Sequence, residues 1–158
     1  MGVATVVRKA LTVASVLALG AAGSLVSSGP AYAGATGTAV IGSFSYDLHG
    51  AGVKVPVGCF LTHSIEGSGK RISSELAGVD CFGLAVTFSK FCNWRIDFGY
   101  ADTENRIYKT SRGVTHTECK GDPLRRAGAR TLPHYGKACA RFYVNGRLRA
   151  TQCHFITK

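Results

Sequence analysis

The chain has 158 residues, 46% of them apolar, and a formal net charge of +10. The apolar residues concentrate near the start, and no later apolar run reaches the ~18 residues that a membrane-spanning helix needs. The length fits a single domain behind a targeting segment. The lack of a later apolar run excludes a membrane-spanning helix after that segment.

The start of the chain has the layout of a secretory signal peptide. Arg8-Lys9 is followed by an apolar run, 10–26, and by the small-residue site Ala31-Tyr32-Ala33. We predict a signal peptide over residues 1–33, cleaved before Gly34. An uncleaved anchor is the alternative, and the Gly-Pro pair just before the small-residue site disfavours it.

Cleavage leaves a strongly basic secreted chain. The signal removes two basic residues, so 17 Lys and Arg face nine Asp and Glu, a net charge of +8. Such a charge favours acidic partners: an anionic wall polymer, nucleic acid or an acidic protein face. It equally favours solubility alone, so charge does not name the partner.

Cysteines supply the second constraint. All six follow the predicted signal peptide: Cys59, Cys81, Cys92, Cys119, Cys139 and Cys153. In an exported chain an even count predicts three disulfides, with fifteen possible connectivities. The sequence has no C-x-x-C and no His pair at zinc-finger spacing. We therefore expect no metal site, no cofactor and no free catalytic thiol.

Residues 34–52 differ from the rest because they precede the first cysteine. After a small, flexible start, Val40, Phe44 and Tyr46 follow a period of two. This pattern predicts an extended segment. It is either the first strand of the domain's own sheet or an arm that adds a strand to a partner.

The next segments predict strands and turns. Residues 53–65 alternate between apolar and other residues, which predicts one strand, with an edge or bulge at Pro56. Gly67-Ser68-Gly69-Lys70 ends it. This is a turn and not a phosphate loop, because the two glycines lack the required spacing and Arg71 replaces the Ser or Thr.

A second group of strands is expected in the middle of the chain. Residues 84–88 alternate again, and Trp94 to Tyr100 form the densest alternating run. We assign the aromatic face of that run to the core, with a sugar-binding platform as the weaker alternative. Residues 106–112 return as its partner strand, after a turn of Asp, Thr, Glu and Asn.

One short helix is predicted from Asp122-Pro123, because aspartate favours the N-cap and proline the first helical position. Gly128 limits it to a turn or two. The surrounding stretch, 120–137, is the most basic of the chain. It is either a solvated connection or a surface that contacts anions.

The last segment predicts a hairpin. Asn145-Gly146 between alternating residues is typical of a type I′ turn. Strict pairing outward from this turn leaves Cys139 and Cys153 offset by one residue, and one β-bulge would place them opposite each other, with Phe142 facing Ala150. We predict that bridge, in preference to each cysteine bonding elsewhere, and short-range logic then pairs Cys92 with Cys119 and Cys59 with Cys81. The strands also carry three arginines that we assign to an outer basic face: Arg141, Arg147 and Arg149.

Residues suited to acid–base chemistry do not converge in the sequence. His63 with Glu66 and His116 with Glu118 are candidate pairs, and the second could assist phosphoryl transfer on RNA. There is no nucleophile elbow and no metal-ligand spacing. We expect no catalytic residues and no enzyme activity.

Several motifs resemble those of small secreted actinobacterial proteins: Cys92-Asn93-Trp94-Arg95-Ile96-Asp97-Phe98 with Tyr100 and Asp102, Gly136-Lys137-Ala138-Cys139-Ala140, and Gln152-Cys153-His154. The layout from Val55 to Lys158 is similar to the small adaptor subunit of umbrella toxin particles. In that family the adaptor joins a lectin subunit to the stalk of a large toxin, partly through an extended N-terminal segment. The resemblance implies a binding role without catalysis, and it transfers no site residue.

We therefore expect a signal peptide, an extended arm over 34–52 and a disulfide-braced domain over 53–158. The predicted fold is mainly β, a small antiparallel β-sandwich with at most one short helix. The predicted function is secreted, non-catalytic protein binding, as an adaptor or component of an extracellular toxin-type complex. A small secreted RNase-like or other hydrolytic toxin and an inhibitor of an extracellular enzyme are the alternatives. The candidate contact residues are Val40, Phe44, Tyr46, Arg141, Arg147 and Arg149; an anionic wall polymer is a second candidate partner, and nucleic acid is not expected.

Overall fold

The computed structural model describes residues 33–158, so the predicted signal peptide, apart from Ala33, lies outside the described residues. The elements are β1 (Ala33–Ile41), β2 (Phe44–Leu48), β3 (Ala51–Val55), β4 (Cys59–Ser68), β5 (Arg71–Cys81), α1 (Leu84–Phe88), β6 (Trp94–Ala101), β7 (Ile107–Ser111), β8 (Leu124–Ala127), β9 (Arg130–Thr131), β10 (Gly136–Val144) and β11 (Arg147–Ile156).

The strands form two larger antiparallel sheets and one small one. The first sheet has the order β1-β4-β5-β8, with β9 also paired to β5. The second has the order β11-β10-β6-β7, and β2 pairs with β3 alone. This arrangement confirms the predicted mainly β, sandwich-like fold with one short helix.

The core lies between the two larger sheets. Alternating residues of β4 and β5, such as Leu61 and Val79, are buried with alternating residues of β6 and β10, such as Phe142. Trp94, Ile96, Phe98 and Tyr100 are all buried, which confirms that the aromatic face belongs to the core. Period two thus sets which face of each strand is inside.

Both sides of the sandwich are closed. On one side β1 approaches β11, and a Cβ at Gly37 would collide with the Gln152 amide, so the glycine permits this approach. On the other side the Arg125 guanidinium reaches from β8 and donates to the carbonyls of Ile96, at 2.8 Å, and Ser111, at 2.7 Å. The two larger sheets are therefore connected along both edges of the sandwich.

Three disulfides connect Cys59 to Cys81, Cys92 to Cys119 and Cys139 to Cys153, as predicted. The hairpin β10–β11 has its register shift between Phe142 and Tyr143, so Phe142 lies opposite Ala150. Asn145 and Gly146 have φ values of 52° and 76°, which fits the type I′ turn. The bulge and the bridge were both correctly predicted.

The strand predicted over 53–65 is wrong as one unit. The structure divides it into β3 and β4, which belong to different sheets. Pro56 cannot donate a ladder hydrogen bond, and Gly58 has φ +115°, a value that side chains disfavour, so the chain changes direction here. Val57 points to solvent and does not join the buried side of the predicted strand.

The helix predicted at Asp122-Pro123 is also wrong. Residues 124–127 form β8, which pairs with the edge of β5 through Gly78 opposite Leu124. Pairing with β5 gives the four residues of β8 backbone partners on a neighbouring strand, which a one-turn helix would lack. This gain outweighs the local preference of Asp122-Pro123 for a helix start.

The helix that does form, α1, lies where alternation predicted a strand. Gly83 has φ +59° and turns the chain after β5. The Ser89 N–H then donates to the Ala85 carbonyl at 2.8 Å and closes one helical turn. Ala85 is buried, while Leu84, Val86 and Phe88 are exposed.

Most of residues 34–52 lie in β1 and β2, and both strands pair with strands of the same domain. β1 pairs with β4 from Ala33 opposite Gly67 to Ile41 opposite Cys59. β2 pairs with β3. The segment therefore occupies the first of the two positions that the sequence left open, an ordinary first strand.

Candidate functional site

The closest arrangement to a catalytic constellation is a polar cluster inside the sandwich. His63 Nε2 lies 3.1 Å from Glu75 Oε1, and the Tyr100 hydroxyl donates to Glu75 Oε2 at 2.5 Å. Arg130 donates to the Tyr100 hydroxyl, and its guanidinium lies 3.8 Å from Glu75 Oε2. The cluster joins β4, β5, β6 and β9.

No substrate can reach these groups in this conformation. His63, Glu75 and Tyr100 are 0%, 1% and 0% exposed, and His63 Nδ1 is buried without a hydrogen-bond partner among the described residues. The Glu75 carboxylate is buried with a polar partner at each oxygen, so it belongs to a structural network. Its role is to hold the two sheets in register.

The network makes stability depend on alkaline pH. Burial, and next the hydrogen bond to Glu75, raise the pKa of Tyr100 far above its usual value near 10. The unfolded chain releases this proton near pH 10 while the folded chain keeps it. We therefore expect the free energy of unfolding to fall above about pH 10, by up to about 1.4 kcal/mol per pH unit.

Urea titrations between about pH 8 and pH 12 measure this dependence. Tyr100→Phe is expected to be less stable at pH 8 and to lack this part of the slope. Tyr143→Phe, at a partly exposed position, is the matched control and should keep it. Equal slopes in all three proteins would contradict the role of Tyr100.

Sequence reasoning missed Glu75 as the partner of His63. The sequence offers Glu66 as a partner for His63, but Glu66 is exposed and accepts a hydrogen bond from Ser74 at 2.9 Å. The signal was present, since Glu75 alternates with the apolar residues Ala77 and Val79 and so faces inward. The pairing itself depends on the β4–β5 register, which the sequence does not state.

His116 and Glu118 lie at the surface, where a substrate could meet them. Their Nδ1 and Oε1 atoms are 3.9 Å apart, and Lys120 Nζ approaches the same carboxylate oxygen at 3.5 Å. The His116 ring stacks on Trp94 with centroids 4.1 Å apart. The stacking on Trp94 holds the His116 ring, and the lysine shares the Glu118 carboxylate with it.

The three contact candidates of the N-terminal segment lie in different environments. Val40 is exposed, Phe44 is half-buried, and Tyr46 is buried. The Tyr46 hydroxyl donates to the Lys90 carbonyl at 2.9 Å and accepts from the Cys92 N–H at 3.0 Å. Tyr46 therefore anchors β2 to the domain and offers little surface.

The three arginine candidates do not form one outer face. Arg141 lies across Gly99 on the outside of the second sheet. Arg149 turns to the β2–β3 side, where its guanidinium stacks over Phe44 at 3.9 Å. Burial, and next the charge of Arg147, lower the pKa of Arg149. The predicted outward turn of Arg149 is wrong because the bulge directs it onto Phe44.

A group of exposed apolar side chains lies around α1, where the alternating pattern predicts a strand. Six of the eleven large apolar side chains that are exposed in residues 33–158 gather there, with exposures of 61% to 78%. We name this surface the apolar face and define it by Val40, Val57, Phe82, Leu84, Val86 and Phe88. Exposed apolar patches of this kind mark interaction surfaces.

The apolar face rests on rigid elements. Val40 lies opposite Phe60 in the β1–β4 ladder, and the Phe60 and Phe82 rings meet edge to face, 5.7 Å apart. The Phe82 N–H donates to the Gly58 carbonyl at 2.9 Å. A Cβ at Gly58 would lie 3.1 Å from the Ala85 Cβ, so α1 sits closely on this turn.

Other kinds of site find no support in the part of the chain that the structure describes. Residues 33–158 contain no group of three or more His, Cys, Asp or Glu side chains placed to hold a metal ion. No helix in the same residues is long and apolar enough to cross a membrane. Comparison with known protein families, characterised proteins and solved structures finds no match to this chain.

Proposed function

We propose that this protein is a secreted, non-catalytic protein-binding module, an adaptor or component of an extracellular toxin-type complex, and that the apolar face is its contact surface. The observation that carries the proposal is the concentration of exposed apolar side chains around α1. Water contact with such side chains is unfavourable by about 25 cal/mol per Å², so covering them stabilises a complex.

The rigidity of the surface supports this function. The Cys59–Cys81 bridge joins β4 and β5 at the residue before Phe82, and the Phe82 ring contacts the Phe60 ring edge to face. A surface that is already ordered loses little conformational entropy on binding. The three disulfides fit an extracellular protein.

The buried polar cluster supports a non-catalytic function. The residues best suited to proton transfer, His63 and Glu75, are sealed inside the sandwich. General acid–base groups must come within hydrogen-bond reach of the substrate. The exposed pair His116 and Glu118 is separated by 3.9 Å and shared with Lys120.

Capture of the partner from culture supernatant tests this function. Wild-type protein is immobilised, and retained proteins are identified by mass spectrometry. We expect Phe82→Ser/Phe88→Ser to weaken capture by at least about 30-fold, the effect of losing one contact worth about 2 kcal/mol. Ile107→Ser/Val114→Ser is the matched control, because Ile107 and Val114 are 53% and 73% exposed and lie outside the apolar face.

Two results would contradict the proposal. One is equal capture by wild type and the Phe82/Phe88 variant, with circular dichroism showing that both are folded. The other is cleavage of RNA by purified protein that is lost in His116→Ala, which would support a small secreted RNase instead.

A further inference from the structure

Next to the apolar face, two adjoining pockets that share Val79, Asp80 and Asp122 form a groove on the outer face of the first sheet. Phe82 and Val86 line the end beside α1, and Leu76 and Leu124 line the end beside β8. Asp80 and Asp122 line both ends. Apolar side chains and two carboxylates therefore line the groove together.

Backbone pairing brings these groups together. The Val79 N–H donates to the Pro123 carbonyl at 2.8 Å, which sets Asp122 alongside Asp80. Gly78 lies opposite Leu124, and a Cβ there would be 3.0 Å from Leu124 Cδ1, so the leucine lies over the glycine. Leu124 therefore covers Gly78, and Asp80 and Asp122 line the groove with them.

The two carboxylates differ from most acidic groups of this protein. Five of the nine acidic residues form ion pairs within residues 33–158: Glu75, Asp97, Asp102, Glu104 and Glu118. Asp80 and Asp122 form none among the described residues. Asp80 accepts only a hydroxyl hydrogen bond from Thr62 there, at 3.1 Å. Arg126, in the register opposite Leu76, pairs with neither carboxylate.

We infer that the groove binds an extended, basic segment of the partner, in which Lys or Arg and apolar residues take turns at every second position. The cations meet Asp80 and Asp122, and the apolar side chains cover the leucines beside β8 and the aromatic end beside α1. Every second side chain of an extended segment falls on the same face, so this spacing turns both the cations and the apolar side chains to the groove. This inference rests on the proposed function, because it names the chemistry of the partner at the same surface.

The charge of the groove favours a basic occupant. Its charged lining residues are Asp80 and Asp122, and no Lys or Arg of residues 33–158 lines it. Opposite charges at the rim of an interface raise the association rate and its salt dependence. A basic partner segment would form ion pairs with both carboxylates. Its apolar side chains would cover the apolar residues beside them.

Fluorescence anisotropy with a labelled Lys-Val peptide, a repeat of Lys-Ser-Val-Ser about ten residues long that places Lys and Val on the same face, tests the groove. We expect binding that Asp80→Asn/Asp122→Asn weakens about tenfold at low salt. Asp47→Asn/Glu66→Gln is the matched control, since it changes the net charge equally at two other acids that form no ion pair within residues 33–158. The control should bind as wild type does, and a peptide with Glu in place of Lys should not bind.

Three results would overturn the inference: no binding of the Lys-Val peptide up to about 1 mM, equal binding by the Asn variant, or equal binding of the Glu-Val peptide. A dimer of the wild type in size-exclusion chromatography that is lost in the Asn variant would also overturn it, because the occupant would then be a second copy.

The captured partner separates this inference from the proposed function. If the Phe82/Phe88 variant loses the partner while the Asn variant binds it as wild type does from about 50 to 500 mM salt, the inference fails and the function stands. If the Phe82/Phe88 variant keeps the partner, the proposed function fails. Loss by the first variant with weaker, less salt-dependent binding by the second supports both.

Discussion

Reduction of the three disulfides is expected to unfold the protein at 25 °C. Each bridge stabilises a small domain by about 2–4 kcal/mol, so losing all three removes about as much as the whole stability of about 5–15 kcal/mol. The Cys59–Cys81 and Cys92–Cys119 bridges close segments of 22 and 27 residues. Longer closed segments lose more chain entropy when cross-linked, so these two bridges should contribute most.

Far-UV circular dichroism and urea titration, with and without dithiothreitol, measure this effect. The unreduced protein in the same buffer is the control, and denaturing it without reductant should reveal no free thiol. An unchanged spectrum and urea midpoint after complete reduction would show that the core alone supports the fold.

Glu75→Ala is expected to destabilise the folded protein by about 3–5 kcal/mol, the cost of removing one partner from a buried ion pair. His63 and Arg130 would both lose their carboxylate partner, and the Tyr100 hydroxyl would lose its acceptor. Glu75→Gln should cost less, since an amide oxygen still accepts from Tyr100.

Urea unfolding with the disulfides intact measures both variants. Glu66→Ala is the matched control on the same hairpin, because Glu66 is exposed, and it should change stability by less than about 0.5 kcal/mol. Equal midpoints for Glu75→Ala and Glu66→Ala would mean that the interior network does not hold the sheets together.

Local patterns predicted the hairpin and the central strand well. Asn145-Gly146, the offset of Cys139 and Cys153, and period two together required one bulge, and the structure has it between Phe142 and Tyr143. The prediction of β6 was equally clear, because four large apolar residues on one face of a strand are expected to pack into the core. These features depend on residues close in sequence.

Features that depend on long-range pairing were not predicted. Asp122-Pro123 carries a helix start signal, and only the free edge of β5 turns the next residues into β8. The alternation of Leu84, Val86 and Phe88 suits a strand, yet these residues form a helix that exposes all three. A helix whose apolar residues face water gives no amphipathic signal. The apolar face therefore became visible only in three dimensions.

The most direct test of the account is amide hydrogen exchange on the captured complex. We predict slower exchange on binding at residues 57–60 and 82–88, with no change at residues 107–114 and 141–149. Slower exchange at residues 141–149, with residues 82–88 unchanged, would contradict the claim that this protein binds its partner through the apolar face.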